Sequence, residues 1–156
     1  MGLDQILLAL YYLSIMTQHL QTKELIIAVV DNDDAILMRK KPLGSLPYTE
    51  TWYLFGCERI QSQDDIKTMK EYLKSVVGID VDIETGSISS ERETKQDHDG
   101  VTKIFAYTNL LCHYLGGAPR VPSGALKIEW IPKDKLAEYD LVPPSVKLLK
   151  TMGYMK

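Results

Sequence analysis

Hydrophobic positions follow two different periods along this chain. Residues 23–30 form a short aliphatic run rich in β-branched side chains, which predicts a buried strand. Asp31, Asn32, Asp33 and Asp34 predict a turn, because Asn and Asp tolerate the left-handed region and bond their own backbone, and residues 35–40 return as the second strand of a hairpin. Residues 41–51, with Pro42, Gly44 and Pro47, read as a loop, and residues 52–55 as a short strand. The period then changes. Ile66, Met69, Leu73, Val76 and Val77 recur at helical spacing, so that face packs inward. Ser62 with Asp65 reads as a variant capping box, Asp64 and Asp65 complement the positive helix end, and Gly78 supplies the stop. Strands follow at about residues 81–90 and 101–114, with a polar turn at 94–100. After a loop carrying Gly116, Gly117 and Gly124, a strand at 127–131 and a short helix at 132–138 are expected. Pro143 and Pro144 open a last helix that runs to about Leu149.

Residues 6–13, with Ile15 and Met16, form an apolar stretch shorter than the roughly 20 residues a membrane span requires. It lacks the basic segment of a secretory signal, since the first cation is Lys23. The expectation is a helix, apolar on much of its circumference, that buries itself on the domain or on a partner subunit as a homodimer contact. Met16 offers an alternative start to Met1. The chain accordingly divides into an N-terminal helix, residues 1–21, and a domain, residues 22–156.

A length of 156 residues suits one such domain. The net charge of −3 excludes an extended nucleic-acid surface, which carries a basic excess. Cys57 and Cys112 lie far apart without CxxC spacing, so neither a zinc site nor a disulfide framework is indicated. They read as reduced thiols in a cytoplasmic protein.

The segment from Trp52 to Ile79 resembles the loop-helix-loop of the Nudix superfamily, whose members hydrolyse nucleoside diphosphates linked to another moiety and whose box reads G-x5-E-x7-R-E-U-x-E-E-x-G-U, U being bulky and aliphatic. Anchored on Gly78, the frame places Cys57 at the first glycine, Gln63 at the next glutamate, Glu71 at the arginine, and Tyr72, Ser75 and Val76 at the three helix glutamates. Only Leu73, Gly78 and Ile79 agree. The run Ile36 to Lys40, Trp52 four residues before Gly56, and residues 127–136 extend the resemblance over about residues 23–153. It implies an α/β fold: a Nudix-type α/β/α sandwich with a mixed sheet, here with an extra N-terminal helix.

The resemblance also implies Mg²⁺ chemistry, yet a phenol, a hydroxyl and a valine stand where oxygen ligands are needed. Two readings result. In the first, the domain is a nucleotide-binding or interaction module without pyrophosphohydrolase activity and with no cofactor. In the alternative, it is a divergent hydrolase of nucleoside diphosphate derivatives, Mg²⁺-dependent through relocated carboxylates. Asp97 and Asp99, around His98, are the catalytic candidates for that alternative, and with Glu58 the metal candidates; a solvated turn at Asp99 and Gly100 is the competing reading. For ligand binding, Arg39 and Lys41 (with Lys40 beside them) offer charge to phosphate oxygens, Trp52 offers a ring for stacking a base, and Gly56 lies in the loop. His19 and His113 are lone histidines with no evident partner, and neither is expected to be a ligand.

Overall fold

The computed structural model describes residues 2–18, 20–45 and 48–156; His19 and Pro47 thus lie outside the described residues. An N-terminal helix, α1 (Leu3–Gln18), precedes the strands β1 (Thr22–Asp31) and β2 (Ala35–Lys40), which form the expected hairpin. Two short strands, β3 (Trp52–Tyr53) and β4 (Phe55–Glu58), lead into α2 (Asp65–Tyr72). The remaining elements are β5 (Asp80–Ile83), β6 (Ser89–Gln96), β7 (Thr102–Gly116), β8 (Lys127–Pro132), a 3₁₀ turn (Lys133–Glu138) and α3 (Pro143–Thr151).

All eight strands belong to one mixed sheet. Its centre is the parallel pairing of β1 with β7, from Thr22 opposite Ile104 to Asp31 opposite His113. β2 lies antiparallel to β8 and to β3, β4 pairs with the middle of β1 from Leu25 to Ala28, and β5 and β6 flank β7.

The aliphatic run of β1 is continuous because both faces of the strand are covered. Ile26, Ala28 and Val30 face a core completed by Leu37, Phe55 and α2 residues Met69 and Leu73. Val29 faces the opposite core, with Ile36, Met38, Trp52, Ile131 and α3 residues Leu148 and Leu149. Sheet alternation therefore builds the α/β/α sandwich.

Four local expectations change. The run at 81–90 divides into β5 and β6, because Gly86, at φ +84°, turns the chain between them. Helix α2 is capped by Asp64, whose carboxylate accepts from the Lys67 amide; Ser62 lies too early to cap it. Past Tyr72 the helix widens into a π turn over Leu73–Val77, in which the Gly78 amide reaches the Leu73 carbonyl at 2.8 Å. The extra residue rotates Val76 out of the core, leaving it 38% exposed, while Leu73 and Val77 stay buried. Gly78 ends the turn in the left-handed conformation at φ +84°.

Helix α1 does not bury itself on the sandwich. Its large apolar side chains from Leu3 to Leu13 are 46–71% exposed. Among the described residues, no helix is long and apolar enough to cross a membrane.

Candidate functional site

A cavity of about 400 Å³ opens on the α3 side of the sheet. Its floor alternates along the central seam: Lys23, Leu25 and Ile27 of β1 stand opposite Phe105, Tyr107 and Asn109 of β7. Ser145 and Leu148 of α3 close one wall, and Lys41 and Tyr48 from the segment after β2 form another. Lys95 and Asp97, at the end of β6, complete the rim.

Among the described residues, two of the cations facing this cavity have no counter-ion. Arg39 is set by its register opposite Tyr53, and its guanidinium carbon lies 4.1 Å from that ring and 5.4 Å from the Phe55 ring. Its Nε donates to the Leu54 carbonyl at 3.2 Å. The Lys41 ammonium lies 4.6 Å from the same Tyr53 ring. Among the described residues, no carboxylate is within ion-pair distance of either cation. Burial lowers the pKa of Lys41, and the charges of Arg39 and Lys95 push it the same way, against the pull of Asp97. Lys95, by contrast, is neutralised by Glu93 at 2.7 Å and packs over the rings of Phe105 and Tyr107. Half-buried cations without a counter-ion carry a desolvation cost, so their positioning beside a cavity points to an anion.

The carboxylates are arranged differently. Asp97 is buried, and both of its oxygens are engaged: Oδ1 accepts from the His98 amide at 2.8 Å and meets the His98 Nδ1 at 2.9 Å, while Oδ2 accepts from Lys23 at 3.2 Å and Lys103 at 2.8 Å. Burial opposes ionisation, but these hydrogen bonds, Lys103 foremost, outweigh it and hold the carboxyl well below the usual range. A carboxylate held this way is a poor proton acceptor near neutral pH. Lys103 also contacts Asp99 at 2.8 Å, and Lys23 contacts Glu58 at 3.8 Å. A lysine ammonium therefore already bridges Asp97 to each carboxylate that would share a metal with it.

The box helix gives no metal site either. Tyr72 is half-buried, with burial raising its pKa against the pull of the nearby Arg39 guanidinium. Ser75 turns its hydroxyl back to the Glu71 carbonyl at 2.7 Å, and Val76 faces outward. The π turn thus disperses three positions that ideal helical spacing would gather on one face. Among the described residues, no group of three or more His, Cys, Asp or Glu side chains is placed to hold a metal ion. The divalent ion that the Nudix resemblance implies does not fit these residues: at the first ligand position a phenol meets a guanidinium, and the other two are turned away.

Of the sequence candidates, the structure brings Arg39, Lys41, Gly56 and Asp97 to the cavity. Asp99 and Glu58 lie outside its lining, and so does Trp52, which is buried against Tyr139 in the α3-side core with ring centroids 5.6 Å apart. Gly56 pairs with Ile27, and a Cβ there would stand 2.8 Å from Ile27 Cδ1, so the missing side chain keeps this part of the wall open. His113 contacts Glu84 at the surface, 2.9 Å away. Cys57 and Cys112 are free thiols, pushed up by burial to about 11 and about 12. Sequence reading missed Tyr53, Tyr48, Lys95 and Tyr107.

No protein-family model matches the chain, and no curated protein matches it. Solved structures do. A Nudix hydrolase from Nitrosomonas europaea superposes with a TM-score of 0.68 at 11% identity, over 85% of this chain and 89% of that one. A MutT Nudix hydrolase from Burkholderia pseudomallei gives 0.67 at 19% identity, over 84% and 98%. The Nudix domain of Shewanella oneidensis NrtR, complexed with ADP ribose, gives 0.63 at 13% identity, over 86% of each. With this shared architecture and the strand order described above, the chain has the Nudix fold.

Proposed function

We propose that this protein is a binding module of the Nudix fold that takes a nucleoside diphosphate derivative into the cavity without hydrolysing it. The observation that carries the reading is the pair of counter-ion-free cations, Arg39 and Lys41, beside a box helix with no carboxylate turned toward them. The size of the cavity and its mix of aromatic walls with a few convergent charges suit a small organic anion. The complex of the NrtR Nudix domain with ADP ribose makes that compound the first ligand to try. The test is calorimetric titration of ADP-ribose into the protein, with chromatography of the same mixtures after incubation with Mg²⁺ or Mn²⁺. Saturable binding with intact ligand is expected; release of a nucleoside monophosphate would overturn the reading.

The alternative is a metal-dependent hydrolase acting through Asp97 and Asp99, favoured by the place of Asp97 on the cavity wall. It requires Lys23 and Lys103 to give way to a metal ion. Under it, Asp97→Asn and Asp99→Asn each abolish a metal-dependent rate, and an unchanged rate in both removes this loop from the mechanism. In either reading α1 serves self-association in the cytoplasm: its exposed apolar side chains carry one charge, Asp4, so two copies meet with little repulsion.

A further inference from the structure

We infer that the cavity supplies its own counter-charge: Arg39, with Lys41, neutralises the diphosphate directly, so the ligand is taken free of metal and Mg²⁺ acts as a competitor. The inference rests on the nucleotide-binding reading and adds how the anion is recognised.

Three observations converge. Arg39 lies close enough for its charge to act on Tyr72, the residue standing where the first box glutamate would be, so a positive charge lies near the place where a metal-binding carboxylate is missing. The guanidinium is oriented before any ligand arrives, by the Leu54 carbonyl on Nε and by the rings of Tyr53 and Phe55. A planar fork held this way presents parallel donors to phosphate oxygens, which suits Arg better than Lys. Lys41 shares the Tyr53 ring, so the two cations lie near each other, and the Lys41 pKa is lowered by burial and then by the Arg39 charge.

A free diphosphate would relieve both cations at once. A diphosphate chelated by Mg²⁺ has lost two units of negative charge and the oxygens that Arg39 would bind. Because no group of carboxylates among the described residues is placed to share the metal, and Asp97 on the rim is held by Lys23 and Lys103, the chelate gains little in return. Metal should therefore weaken binding, the reverse of what a carboxylate-lined site would show.

The experiment is titration of ADP-ribose, and of ADP, into the full chain at constant ionic strength, once with EDTA and once with saturating Mg²⁺. Binding in EDTA that falls about tenfold in Mg²⁺ is expected. Arg39→Met and Lys41→Met should each weaken the EDTA affinity roughly tenfold or more, with Arg39→Lys between them and the wild type. Tyr72→Glu should weaken it too, because the new carboxylate would pair with Arg39. Circular dichroism checks each fold, and Lys41→Met, just past the end of β2, carries the test if the Arg39 variants do not fold. Binding that requires Mg²⁺, or wild-type affinity in both Met variants, overturns the inference and leaves the binding module standing. No binding under either condition overturns the binding module itself.

Discussion

Replacing Asp97 with Asn separates a structural carboxylate from a catalytic one. The side chain is 6% exposed and joins the start of β1, through Lys23, to the start of β7, through Lys103. The amide keeps an acceptor for the His98 N–H but turns the other oxygen into a donor facing two ammonium groups. A charge-assisted hydrogen bond contributes about 1.5–3 kcal/mol. The loss is moderated because Lys103 retains Asp99 and Lys23 retains Glu58. We expect about 2 kcal/mol of destabilisation at neutral pH, or about 4–8 °C in Tm for a chain of this size. The dependence on pH is specific. The folded state holds this carboxyl below its unfolded pKa of about 3.9, so its contribution is complete at neutral pH and fades as pH falls below about 4 toward the folded value. The gap between wild type and variant should therefore narrow in acid. Urea unfolding followed by circular dichroism at about pH 7 and about pH 3 measures both quantities. Equal midpoints at neutral pH, or a gap that persists in acid, would refute the reasoning.

Ser75→Glu with Val76→Glu should cost less than about 1 kcal/mol in a thermal melt, since both side chains are exposed; loss of the fold would show this face to be core. Gly56→Ala should reduce ADP-ribose affinity while the melt changes little, because the added methyl meets only the flexible end of Ile27 before the Ile26 carbonyl at 3.2 Å; unchanged affinity would place the ligand elsewhere. Gly78→Ala should destabilise by about 1–2 kcal/mol, since φ is +84° and the Arg120 guanidinium stands 3.1 Å from the new Cβ. Removing residues 2–18 should convert a self-associated species to a monomer by light scattering, and an unchanged mass would take that role from α1.

The sandwich was legible because its signals are local. The β1–β2 hairpin, the Gly78 stop and the paired prolines of α3 each announce themselves within a few residues. Arg39 and Lys41 were legible for the same reason, as charges at the end of an apolar strand. Trp52 lies outside the cavity lining because its ring packs against Tyr139 in the core, a contact between distant segments that aromaticity alone does not reveal. The π turn was invisible, since Leu73, Val76 and Val77 fit ideal helical spacing on paper. Lys95 and Tyr107 come to the cavity only through pairing across β6 and β7, a relation between segments that no local pattern encodes.

The central seam also sets the order in which this protein can assemble. Thr22 must find Ile104, and every strand from β2 to β6 lies in the loop that this contact closes. Such non-local parallel pairing is entropically slow, so refolding on the millisecond-to-second scale is expected. During synthesis the floor of the cavity cannot exist until β7 has emerged, and the aliphatic run of β1 waits without its central neighbour until then. A ligand held in that cavity would contact both sides of the seam and so would stabilise only the finished chain.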